Sequence, residues 1–330
     1  MMILYDFESV KIMKRLFITI GVFAILVLTG CGWNPFGTDD DGHAEPPTPA
    51  YPVIDDSPCW SPDGSTIVFY HLHITRIDSC GSYNVDKDST GLWFINPDGT
   101  NKRMFLNLRE WSAGGPDWSP DMKLIIFVKG ARIWKIKING DSLTQLTFNR
   151  RTFFPDWSPD GEKIAYDQSI SIETHPSGIW IMNTDASNDH RVMGGASPDW
   201  SPDGTRIVYV GGPGPTEDFP QIWIADTNGT NATQLTFEGY CNWYPMFSPD
   251  GSKIAFSSDE GISIMNADGS NTISPGVLGY KPSWSPDGNQ IVYTGWTEKH
   301  YNPRHNGVLY IINADGSNKQ QLTFGPDGSK

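Results

Sequence analysis

Four histidines and three aspartates are the residues of this 330-residue chain whose types and positions could do chemistry. His71 and His73 open one long irregular stretch, and His300 and His305 lie in another near the far end. Imidazoles converging with Asp86, Asp88 or Glu298 could hold a divalent metal. No metal-ligand spacing recurs, however, and loop histidines are commonplace. The expectation is therefore a binding surface containing His71, His73, His300, His305 and Asp86, with no metal and no other cofactor. Asp117, Asp156 and Asp199 each stand directly before a Trp, where the corresponding residues of three further repeats are Cys59, Met246 and Ser283. Beside a channel such carboxylates could attract a cation or a basic peptide; the simpler expectation is that they accept hydrogen bonds from backbone or water. The sequence holds no Gly-x-Ser-x-Gly elbow, phosphate loop, dinucleotide fingerprint or zinc-spaced cysteine pair, so no catalytic residue is assigned.

The elements that position these residues repeat. An aromatic residue followed by Ser-Pro-Asp occurs at Trp60, Trp118, Trp157, Trp200, Phe247 and Trp284. The spacing sits around the roughly 40 to 50 residues of a propeller blade, provided that the first unit carries one long loop. In the fourth unit, Ser197 to Trp200 is extended, Ser201-Pro202-Asp203-Gly204 is a turn and Arg206 to Val210 is β-branched. Gln221 to Ala225 is a second such run, Thr227 to Thr230 a second turn, and Gln234-Leu235-Thr236-Phe237 closes the unit. Pro presets φ in such turns, Asp accepts nearby amide hydrogens, and Gly takes a positive φ where the chain reverses. Met122 and Ala186 replace that Gly in two turns and should be strained there. The fold class predicted is all-β, a six-bladed β-propeller of four-stranded antiparallel blades over residues 51–330. The 13 Trp, 12 Tyr and 16 Phe supply its core, and 34 Gly and 25 Pro its turns.

Trp-Ser-Pro-Asp-Gly, then Ile-Val-Phe or Ile-Ala-Tyr, then Ile-Trp-Ile-Met-Asn, then Gln-Leu-Thr-Phe resembles the TolB-type, WD40-like propeller repeat over about residues 56–324. The resemblance implies six blades, with the aromatic at each repeat start packed between neighbours. The absence of a catalytic constellation, together with the anchor and tether read below, points to a non-catalytic interaction module. TolB-type proteins carry an α/β domain ahead of the propeller, for which residues 32–55 are too few, so a stand-alone propeller is expected. Closure should rest on apolar packing of the first blade against the sixth, the alternative being an outer strand from Tyr51 to Ile54. Gly325 to Lys330 lacks the strands for a seventh blade.

Lys11, Lys14 and Arg15 precede an apolar run from Leu16 to Leu28 that is long enough for an export signal and short for a membrane span. It ends in Leu28-Thr29-Gly30-Cys31, which resembles a bacterial lipobox. This implies a signal peptide over residues 1–30, with Met13 a plausible start, and lipidation of Cys31. Residues 31–50, rich in Pro and Asp, read as a disordered tether. Asp39, Asp41 and Gly42 only faintly echo a calcium loop. The expected location is the cell envelope, at the outer membrane facing the periplasm, or outside the cytoplasmic membrane if no outer membrane exists. Three cysteines then remain, Cys59, Cys80 and Cys241, and their pairing stays open.

A net charge of −14 without a basic stripe argues against nucleic acid. In a four-stranded meander the regular turns share one face, while the irregular loops between the second and third strands, and between blades, share the other. That variable face is the expected recognition surface, with envelope proteins or cell-wall components as partners. Two alternatives stay in view. One is a metal-dependent polysaccharide lyase using the histidines of the first and sixth units, as in some propellers with similar repeats; the other is ligand binding in the channel mouth.

Overall fold

The computed structural model describes residues 53–77, 83–110, 113–148, 150–169, 177–211, 220–239, 242–295 and 307–324. Residues 50–76 and 84–330 form one compact unit, which carries the sheets. Of the other unit, residues 1–49 with 77–83, only the strand ends Ile77 and Tyr83 are described.

Six antiparallel sheets follow one another along the chain, each finished before the next begins. The first blade holds β1 (Val53–Trp60), β2 (Ile67–Ile77), β3 (Tyr83–Val85), β4 (Gly91–Ile95) and β5 (Arg103–Asn107), with the short β3 paired to β2 off the main order. The second holds β6 (Ala113–Trp118), β7 (Leu124–Lys129), β8 (Arg132–Lys137) and β9 (Thr144–Gln145). The third is β10 (Arg151–Trp157), β11 (Lys163–Ser169), β12 (Gly178–Asn183) and β13 (His190–Met193). The fourth is β14 (Ala196–Trp200), β15 (Arg206–Gly211), β16 (Gln221–Asp226) and β17 (Thr233–Gln234). The fifth has β18 (Trp243–Phe247), β19 (Lys253–Ser258) and β20 (Gly261–Asn266); the sixth has β21 (Gly279–Trp284), β22 (Gln290–Gly295), β23 (Val308–Asn313) and β24 (Gln320–Gln321).

Gln-Leu-Thr-Phe closings fasten the outer edge of the second, fourth and sixth blades. Thr147, Thr236 and Thr323 accept the backbone N–H of Ile133, Ile222 and Leu309, each at 2.9 Å. Gln145, Gln234 and Gln321 donate to the carbonyls of the same threonines. The fifth blade reads Thr272-Ile273-Ser274-Pro275 here, and its outer strand shrinks to one bridge between Ile264 and Ile273.

Each repeat-start aromatic is buried against the preceding blade. Trp118 packs with Tyr70, Leu92 and Phe94, Trp157 with Ile126 and Ile133, and Trp200 with Ala165 and Ile179. Phe247 packs with Val208 and Ile222, and Trp284 with Ala255 and Ile262. Trp60 meets Val292, Leu309 and Ile311 of the sixth blade, which closes the ring by apolar packing as expected. Polar bonds reinforce that seam: Trp60 N–H donates to Ser283 Oγ at 3.3 Å, and Asp55 N–H to the Gly307 carbonyl at 2.9 Å. Val53 and Ile54 prolong the inner strand, paired with His73 and Leu72. Tyr51 and residues 325–330 lie outside the described residues.

The Ser-Pro-Asp turns are locked from within. In the first, Ser61 Oγ donates to Asp63 Oδ1 at 2.6 Å and accepts the Thr66 N–H at 3.0 Å, while Asp63 Oδ1 also takes the Ser65 N–H. The same set recurs at Ser158, Ser201, Ser248 and Ser285. Met122 at φ 59° and Ala186 at φ 68° hold the left-handed conformation anticipated for them. A Met122→Gly substitution should therefore raise stability by about 1 kcal/mol, read as a higher urea midpoint at unchanged slope.

Candidate functional site

Every inner strand breaks register at the same place, just before its repeat-start aromatic. The residue third before that aromatic has a left-handed φ in all six blades: Ser57 52°, Gly115 55°, Phe154 47°, Ser197 50°, Tyr244 53° and Lys281 54°. A proline follows each of them, Pro58 and Pro116 through Pro282. Five of the six carry a Cβ, and the combination of positive φ and a following Pro is disfavoured, so those five bulges store backbone strain. The bulges ring a central channel whose free space is about 130 Å³, lined by the bulge residues, the prolines and the residues preceding the aromatics.

Bulge side chains vary among the blades, with Ser in two of the six, while the proline after each repeats. Phe154 and Tyr244 bring their rings within 5.3 Å, and Tyr244 and Tyr280 within 6.4 Å. Lys281 Nζ lies 5.9, 5.5 and 5.5 Å from the ring centres of Phe154, Tyr244 and Tyr280. Its ammonium also donates to Asp56 Oδ2 at 2.7 Å and Ser57 Oγ at 2.8 Å, across the seam between the sixth and first blades. Burial pushes the Asp56 carboxyl up, but the Lys281 charge and hydrogen bond outweigh it and hold Asp56 below the usual range.

Deeper along the strands, the structure brings Asp117, Asp156 and Asp199 together on the channel wall. Each Oδ2 accepts, at 2.8 Å, the N–H of the next blade's aromatic: Trp157, Trp200 and Phe247 in turn. The simpler expectation, a backbone hydrogen bond, is thus how these residues are held. Ser283 serves Trp60 in the same way. Cys59 instead donates to Asp117 Oδ1 at 3.3 Å. Burial holds Asp117 up at about 6. Burial and then the neighbouring carboxylates hold Asp156 well above its usual range, and burial foremost does so for Asp199. Burial likewise pushes the Cys59 thiol up.

The histidines fare differently. His71 and His73 do not open a loop, because β2 continues to Ile77 and pairs both residues with β1. His71 is buried: Nδ1 lies 2.6 Å from Asp55 Oδ1, its ring is 4.9 Å from that of Trp93, and Asp55 also receives Lys102 Nζ at 3.0 Å. Burial raises the Asp55 carboxyl, yet His71 and Lys102 hold it below the usual range. His73 Nδ1 stands 3.4 Å from Asp86 Oδ2. Asp86 is tied into its own turn by the Asp88 N–H and the Ser89 hydroxyl, which keep its carboxyl low. His300, His305, Glu298, Cys31, Cys80 and Cys241 lie outside the described residues. Among the described residues, no three His, Cys, Asp or Glu side chains are grouped to hold a metal.

The bulge ring and Asp167 are what residue-by-residue reading passed over. A signal for the ring was present, since proline stands two residues before all six aromatics. Asp167 of β11 is 6% exposed and accepts the Ser197 N–H at 3.2 Å through Oδ2, while its Oδ1 has no partner. Burial pushes its carboxyl up to about 7. The matching positions hold Tyr70, Val128, Val210, Ser257 and Thr294, so no acid recurs there, although Ser257 accepts the Lys281 N–H at 3.0 Å as Asp167 accepts that of Ser197.

Six antiparallel sheets around a partly acidic axial channel define a six-bladed β-propeller. The TolB beta propeller domain matches residues 72–329, and the chain belongs to that family. The protein Atu1656 of Agrobacterium fabrum is 27% identical over 299 residues, covering 73% of this chain and 85% of the relative. The Tol-Pal system protein TolB of Xanthomonas campestris pv. campestris is 31% identical over 102 residues, 28% of this chain and 22% of that protein. Among solved structures, that of putative TolB from Agrobacterium tumefaciens superposes with a TM-score of 0.59 at 24% identity, covering 68% of this chain and 86% of that one.

Proposed function

We propose that this chain is a non-catalytic interaction propeller of the bacterial cell envelope, anchored by lipid at Cys31, that receives protein partners on the face where its inner strands begin. The observation that carries the reading is the contrast between the two ends of the ring. At one end the Ser-Pro-Asp turns spend their polar groups on themselves. Toward the other, the six bulge positions hold five residue types, and Phe148 and Phe237, which end two outer-strand closings, are 60% and 74% exposed. Varied side chains on a rigid frame with exposed aromatics are what recognition surfaces require. Membership of the TolB propeller family and likeness to a Tol-Pal system protein support the envelope setting.

Crosslinking in intact cells followed by pull-down should recover a reproducible protein partner, and a Phe148→Ala/Phe237→Ala variant of unchanged thermal midpoint should recover several-fold less. Failure to recover any partner with the folded protein would overturn the reading. Metal analysis of the same preparations should find no stoichiometric metal. A bound metal lost in His73→Ala or His300→Ala would favour the lyase alternative instead.

A further inference from the structure

To hold the next blade's N–H, positions 117, 156 and 199 need only an acceptor oxygen, which Asn supplies without a charge. Three successive blades carry carboxylates all the same. Among the described residues, none of the three is ion-paired to Lys, Arg or His, whereas the buried Asp55 has Lys102 and the half-buried Asp56 has Lys281. Like charges gathered in a partly dry channel disfavour one another, so the arrangement costs stability unless a cation arrives. Asp156 and Asp199 each use one oxygen on backbone; the other, Oδ1, makes no hydrogen bond among the described residues. A second observation is independent of the acids. Ser197 lines the same channel, is 4% exposed, and its hydroxyl has no partner.

We propose that the channel binds a primary ammonium group, hydrogen-bonded to the Oδ1 atoms of Asp156 and Asp199 and to the Ser197 hydroxyl, with its aliphatic stem against Phe154 and Tyr244. The geometry separates this from a metal site. A divalent ion needs several oxygens converging at about 2.0–2.6 Å, a closeness that no three acidic or imidazole side chains reach among the described residues. An ammonium offers three donors at hydrogen-bond distance and tolerates wider spacing. The space of about 130 Å³ holds the equivalent of about four waters, enough for an amine and a short chain. Phe154 and Tyr244 supply ring faces on which a cation and its methylenes rest favourably. The chain's net charge of −14 draws cationic segments toward it.

This rests on the interaction reading and deepens it, naming a partner's lysine or free N-terminus as the inserted group. Binding should strengthen with pH, because Asp156 and Asp199 must ionise to take the cation. The groups facing them are Asp117 and Cys59 on the channel wall, Asp56 and Lys281 toward the mouth, and Asp167 behind Ser197.

Titration calorimetry on the full chain with two probes tests the idea: Nα-acetyl-lysine-amide, and Ala-Ala-amide with a free N-terminus. At least one should bind saturably, about tenfold or more tighter at pH 8 than at pH 6, with proton release seen as a buffer-dependent heat. Whichever probe binds identifies the source of the amine. Acetylating that amine should abolish binding, and Asp156→Asn/Asp199→Asn should weaken it at least tenfold with the thermal midpoint unchanged or raised. Should that variant not fold, Ser197→Ala is expected to weaken binding several-fold in its place. No saturable binding by either probe, equal binding by the acetylated probe or by the variants, or occupation of the channel by calcium alone would overturn the proposal. These probes contain no partner, so their failure would leave the crosslinking result standing on its own.

Discussion

Replacing Trp118 with Ala lowers the stability of the propeller by about 3–5 kcal/mol, the usual range for removing a buried Trp. Trp118 is 7% exposed, and its ring stacks on Phe94 of the preceding blade with centres 5.5 Å apart at 20°. Phe94 is in turn stacked on Phe105. Truncation therefore empties the middle of the interface between the first and second blades. At roughly 2–4 °C per kcal/mol for a domain of this size, the thermal midpoint should fall by about 10 °C. Trp118→Phe is the internal control. Phe247 fills the same place in the fifth blade at 4% exposure, so Phe is a native solution and should cost far less than Ala. Equal losses for Phe and Ala, measured by calorimetry, would show that Trp118 does not bridge the blades.

A second large effect is expected from Asp167→Asn, and it depends on pH. The Asp167 carboxyl is held at about 7 in the fold against an ordinary value of 3.8. A group whose folded value is raised binds more protons folded than unfolded, so stability is greatest below pH 4, declines as pH rises toward 7, and levels off beyond. That displacement corresponds to roughly 4 kcal/mol at its limit. Asn keeps an acceptor for the Ser197 N–H and carries no charge. The variant should be more stable than the parent by about 2–4 kcal/mol at pH 8 and nearly equal to it at pH 4. Urea unfolding across that range, taken as the difference between the two proteins, removes the background from Asp117, Asp156 and Asp199. A difference that does not change with pH would mean that Asp167 is charged throughout.

How far the sequence could be read follows from which features repeat. The aromatic-Ser-Pro-Asp signature was legible because each of its residues has a local task that any copy reveals: the aromatic fills an interface, and Ser and Asp lock a turn. Met122 and Ala186 were legible as strained for the same reason, being exceptions to a pattern. The inward carboxylates were found, but their partners were not, since the Trp200 N–H reaches Asp156 across 44 residues of chain. His71 and His73 were misplaced because polar residues at alternate positions look like a loop when the strand opposite is unknown. Val53 and Ile54 begin β1 early and carry β2 past both histidines. Asp167 stayed hidden because a single buried acid at a position that elsewhere holds Tyr, Val, Ser or Thr forms no recurring acidic signature.

Since among the described residues no sheet borrows a strand from the opposite terminus, the joint between the first and last blades is the one junction that the described backbone does not cross. It is fastened by Trp60 in its apolar cluster, by the Ser283 hydroxyl and by the Lys281 link to Asp56. Mechanical load drawn through the ring would concentrate there, and the latch that resists it shares a lysine with the aromatic rim of the central opening. A molecule that engaged that lysine would thus touch the fastening of the whole disc.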